Sequence, residues 1–82
     1  MAKNQKWAVV MNDEIHSVEY TPRKLFSKAR IRIDDKEYPL HSAKLLGSSQ
    51  EVFRLGGERA VISIDDSKRA TLTVDCETIK EI

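Results

Sequence analysis

Arg30-Ile31-Arg32-Ile33-Asp34-Asp35-Lys36-Glu37-Tyr38-Pro39-Leu40 decides the fold of this chain. Apolar and charged residues alternate, stop at two aspartates, then alternate again. A period of two is the signature of a half-buried strand. Aspartate tolerates the left-handed backbone of a tight turn. With Asp34-Asp35 as a two-residue loop, Arg32 faces Glu37, Ile31 faces Tyr38 and Ala29 faces Leu40. Residues directly opposite in a hairpin share a face. This register therefore puts an opposite-charge pair outside and apolar pairs inside. Pro39 then opposes Arg30 and has no N–H for a ladder, so its strand is expected at a sheet edge.

The same parity test works outward along the chain. Asn12-Asp13 as a turn sets Trp7 opposite Val18 and Val9 opposite His16. Asp75-Cys76 sets Thr73 opposite Thr78 and Leu72 opposite Ile79. Asp66-Ser67-Lys68 closes a further hairpin, with Ile64 opposite Ala70. At Gly56-Gly57 a two-residue loop would set Arg54 against Arg59, and like charges directly opposite are unfavourable. A four-residue loop through Arg59, pairing Leu55 with Ala60, is expected instead. The segment Thr21–Lys28 breaks the alternation. It reads either as a capped turn of helix with a first-turn proline or as a long hairpin loop, with Leu25 and Phe26 folding back onto the core.

These segments define an all-β fold: a small antiparallel β-sandwich of seven to eight short strands, connected largely by hairpins. Its expected core is Trp7, Val18, Ile31, Phe53, Ile62 and Leu72, and Tyr20 and Tyr38 fall on the same inner face. The 82 residues are expected to form one domain, 1–82, with no room for a separate cofactor domain. Fourteen basic residues against thirteen acidic ones leave a net charge of +1. Nothing global then draws the chain to nucleic acid or an anionic membrane. The longest apolar run, Trp7-Ala8-Val9-Val10-Met11, is too short for a membrane span or a leader core. A cytoplasmic domain without membrane attachment is expected. The single cysteine, Cys76, excludes an internal disulfide framework and a multi-cysteine zinc site.

The order of the segments resembles one repeat of the Fas apoptotic inhibitory molecule (FAIM) family. The residues that carry the likeness begin with Trp7-x-Val9, His16-x-Val18-Glu19-Tyr20 and Arg30-x-Arg32-Ile33-Asp34-Asp35-Lys36-Glu37. They continue with Lys44-Leu45-Leu46-Gly47, Glu51-x-Phe53-x-Leu55-Gly56 and Ala60-x-Ile62-x-Ile64-Asp65. The chain closes with Leu72-x-Val74-Asp75-Cys76-Glu77-Thr78-Ile79-Lys80. Asp35 and Cys76 stand where the family usually has glycine in its turns. The resemblance implies an antiparallel β-sandwich without catalytic activity. It also implies a role connected, in animals, with inhibition of apoptosis and protection against protein aggregation.

Residue chemistry beside the resemblance is sparse. His16 and His41 are the only histidines, and a zinc site wants three or four ligands. His16 is expected to be a hydrogen-bonded, half-buried residue opposite Val9, and His41 a surface residue. Cys76 sits between Asp75 and Glu77, whose charges suppress a thiolate. Asp34-Asp35 and Asp65-Asp66 lack the spacing of a calcium loop, and turn chemistry explains them. No catalytic residue, metal ligand or cofactor is therefore assigned. The basic run Arg23, Lys24, Lys28, Arg30 and Arg32 is the candidate binding surface of an alternative reading, a small nucleic-acid-binding β-barrel. It lacks outward aromatics for base stacking, because Trp7, Tyr20, Tyr38 and Phe53 fall on the inner face. The favoured expectation is a non-enzymatic protein-interaction module with an unknown protein partner, able to form a weak homodimer through an edge strand.

Overall fold

The computed structural model describes residues 3–24, 27–40 and 48–82. Eight strands follow one another: β1 (Gln5–Met11), β2 (Glu14–Thr21), β3 (Arg30–Ile33), β4 (Lys36–Pro39), β5 (Ser49–Leu55), β6 (Glu58–Ile64), β7 (Ala70–Val74) and β8 (Glu77–Ile79). They form two four-stranded antiparallel sheets, ordered β1-β2-β3-β4 and β5-β6-β7-β8. Each sheet is a meander, so every strand pairs with its neighbour in sequence. Leu25, Phe26, His41 and the Lys44–Gly47 segment lie outside the described residues.

The hairpin registers follow the parity argument. Arg32 opposes Glu37 and Ile31 opposes Tyr38, Trp7 opposes Val18, Leu72 opposes Ile79 and Ile64 opposes Ala70. Four turns have two residues, all with positive φ: Asn12 and Asp13 (51° and 61°), Asp34 and Asp35 (47° and 74°), Gly56 and Gly57 (58° and 85°), Asp75 and Cys76 (49° and 66°). Such turns match the right-handed twist of the strands they join.

The Gly56-Gly57 turn corrects the expected four-residue loop. Leu55 opposes Glu58 and Arg54 does oppose Arg59. Paired glycines take two positive φ angles without steric cost. Two exposed guanidiniums in water repel only weakly, so the turn wins. Arg54 Nη1 donates to the Gly57 carbonyl at 3.3 Å. Between β2 and β3, Lys24 and Ser27 exchange backbone hydrogen bonds of 2.9 and 3.3 Å, and no helix occurs among the described residues there.

Inner faces of both sheets meet in one cluster. Trp7, Val18, Tyr20, Leu55, Ile62 and Leu72 are each at most 1% exposed, worth roughly 1.5–3 kcal/mol per large aliphatic side chain. Phe53 and Tyr38 depart from expectation. Phe53 is half-buried and Tyr38 is 45% exposed. Both sit on edge strands, β5 and β4, where neighbouring side chains cover one flank only.

One seam between the sheets is stitched. Gln5 Nε2 donates to the Ala70 carbonyl at 2.8 Å, and the Ala70 N–H donates to Gln5 Oε1 at 2.7 Å. The Ile82 N–H donates to the Lys6 carbonyl at 2.9 Å. Within the second meander, beside this seam, Arg69 pairs with Glu81 at 2.8 Å. Among the described residues no helix is long and apolar enough to cross a membrane.

Candidate functional site

The basic run does not form a single uniform strip. Arg30 and Arg32 lie on the exposed face of β3, as their alternation dictates. Carboxylates from both neighbouring strands flank them. Glu37 of β4 stands 3.7 Å from Arg30 and 3.5 Å from Arg32, and Glu19 of β2 is the cross-strand partner of Arg32. Arg23, Lys24 and Lys28 belong to the β2–β3 loop, where Arg23 is half-buried and both lysines are exposed.

His16 is half-buried on β2 and accounts for Asp34. Its Nδ1 lies 2.7 Å from Asp34 Oδ2, while the Ser17 N–H donates to Asp34 Oδ1 at 2.8 Å. The His16 bond first, and the Ser17 bond second, hold the Asp34 carboxyl below the usual carboxylate range. Glu14 Oε2 is 3.6 Å from His16 Nε2. This arrangement fixes the β3 turn against β2. Among the described residues no group of three His, Cys, Asp or Glu side chains is placed to hold a metal ion. Asp65 Oδ1 accepts from the Ser67 and Arg69 N–H groups at 2.9 and 3.0 Å, as a turn-closing aspartate does. Burial raises the pKa of the Tyr20 phenol, and the Asp65 charge raises it further. Cys76 is exposed in its turn.

Among the described residues, no strand pairs across the second seam, between β4 and β5. Ile31, Ile33, Tyr38, Leu40 and Phe53 line a cleft of about 300 Å³ there, with Glu51 and Arg54 at its border. Sequence reasoning placed these apolar residues inside and missed that they line a cleft in which Tyr38 stays 45% exposed. It also missed three exposed apolar side chains. Val10 and Ile15, both 71% exposed, are directly paired across β1 and β2, and Val52 on β5 is 52% exposed. Their signal was present in the sequence: each sits at an outward parity position where alternation calls for a polar residue.

Two antiparallel meanders around one core, with an apolar cleft and no clustered metal ligands among the described residues, define an all-β domain whose distinctive features are surfaces and edges. The chain belongs to the Fas apoptotic inhibitory molecule (FAIM1) family, whose model matches residues 3–82. No curated protein matches the chain, and no solved structure does.

Proposed function

We propose that this FAIM-family domain is a non-enzymatic protein-interaction module, serving the control of cell death or of aggregation that its family resemblance implies. The observation that carries this reading is the apolar cleft between β4 and β5. Its lining is apolar and includes Tyr38, which is 45% exposed, and exposed apolar surface of this kind marks contact sites for other proteins. The alternative, nucleic-acid binding through Arg23, Lys24, Lys28, Arg30 and Arg32, is disfavoured by Glu19 and Glu37 standing beside the two strand arginines. Phosphate binding needs cations free to displace counterions. A cytoplasmic location fits the same reading.

Two titrations test it. An array of immobilised peptides, probed with the labelled domain, is expected to show saturable binding. Single-stranded RNA and DNA in a low-salt mobility-shift titration are expected to show none at micromolar protein. Nucleic-acid binding that collapses with salt and disappears in an Arg30→Glu, Arg32→Glu variant would overturn the proposal.

A further inference from the structure

We infer that the outer edge of β5 is a docking edge for an extended, acidic segment of another protein, which adds to the sheet as an antiparallel strand. This rests on the interaction-module reading and names its surface and the chemistry of its partner.

The four sheet edges are not equivalent. In a two-residue hairpin the residues flanking the turn exchange both hydrogen bonds, and inward and outward groups then alternate. On β4 this alternation turns Glu37 and Pro39 outward, consistent with the inward Leu40 N–H, which donates to Ala29 at 3.0 Å. Pro39 thus removes an outward donor and blunts the edge. On β1 the Lys6 carbonyl is taken by Ile82. Strand β8 has only three residues. Strand β5 has seven, contains no proline, and by the same alternation turns the backbone groups of Gln50, Val52 and Arg54 outward. Among the described residues β5 pairs with β6 alone.

Charge selects the occupant. Arg54 and Arg59 are directly opposed on the exposed face of β5 and β6. Neither forms an ion pair among the described residues. Two facing guanidiniums beside an unpaired edge are complementary to carboxylates on an incoming strand. Exposed Val52 between Gln50 and Arg54 gives that strand an apolar contact. A second copy is a poorer fit. Pairing β5 with itself about Val52 puts Arg54 opposite Gln50 and brings no carboxylate to Arg54.

The probe is a capped peptide of about seven residues with alternating glutamate and valine, long enough to cover one strand; its control has lysine for glutamate. Backbone amide NMR of the labelled domain reads the result. The glutamate peptide is expected to shift and protect the Gln50, Val52 and Arg54 amides, and the lysine peptide is expected to leave them unchanged. Val52→Pro removes an outward N–H only, so the domain keeps its melting behaviour and loses the peptide. An Arg54→Glu, Arg59→Glu variant weakens the glutamate peptide by at least about tenfold and gains the lysine peptide. The inference is overturned if the glutamate peptide does not bind, if it shifts Val10 and Ile15 instead, or if Val52→Pro binds it unchanged. Concentration-dependent pairing of β5 with a second copy also overturns it. These failures leave the broader reading standing where the peptide array still shows saturable binding; an array without binding, together with nucleic-acid binding, removes both.

Discussion

The side-chain amide of Gln5 completes the backbone of Ala70. The β7–β8 ladder ends at Leu72 and Ile79, and Ala70 lies two residues beyond it. Gln5, only 2% exposed, supplies both a donor and an acceptor there at 2.8 and 2.7 Å. Its Nε2 also reaches Glu81 Oε1 at 3.0 Å. A residue of the first sheet thus does the work of a missing strand residue in the second.

Gln5→Ala leaves two buried backbone groups unpaired, and each costs about 1–3 kcal/mol. We expect a loss of about 2–4 kcal/mol. Urea unfolding should show a lower midpoint at unchanged slope. Gln5→Glu keeps the acceptor, loses the donor and adds a charge beside Glu81, so it should rescue little.

The turns carry opposite expectations. Cys76 holds φ at 66° without a glycine, a conformation costing roughly 1–2 kcal/mol for most residues. Cys76→Gly should therefore raise stability by up to about 1 kcal/mol after its own entropic cost, read as a higher urea midpoint. Gly56→Ala should be the more damaging of the two glycine changes. A Cβ at Gly56 would meet Met11 Sδ at 2.5 Å, whereas Gly57 has nothing within 4 Å. Thermal melts of Gly56→Ala and Gly57→Ala should fall in that order.

Acid should loosen the β2–β3 contact. Folding lowers the Asp34 pKa through its bonds to His16 and Ser17. Its stabilising contribution is complete above the unfolded carboxyl value of about 3.9 and is lost as pH falls through the folded one. Asp34→Asn removes that contribution, so the decline in urea midpoint below about pH 4 should be shallower in the variant.

Core and edge should separate by magnitude. Leu72 is 0% exposed, and Leu72→Ala should cost about 2–5 kcal/mol. Phe53 packs against the core only partly buried, at the β4–β5 cleft. Phe53→Ala should fall below the roughly 3–5 kcal/mol of a fully buried phenylalanine. Equal losses at chemical denaturation would show that the β4–β5 seam is closed in solution.

The local pattern by itself determined the strands, their inner faces and three of the four two-residue turns. Side-chain parity and turn chemistry act over a few residues, so Ile31, Ile62 and Leu72 were legible as core and Asp34-Asp35 as a turn. Local charge logic failed at Gly56-Gly57, because backbone twist outweighs the repulsion of Arg54 and Arg59 in water. Pro39 made the β4 edge legible too, because it has no N–H for a ladder. The tertiary structure alone decided that β5 is an edge, which seam Gln5 and Ile82 stitch, and which seam leaves Phe53 and Tyr38 partly exposed. Those outcomes depend on how the two meanders meet, through contacts between residues as distant as Gln5 and Ala70. A period of two is the same on a central strand and on an edge, and the candidate surface on β5 exists because that strand has a neighbour on one side only among the described residues.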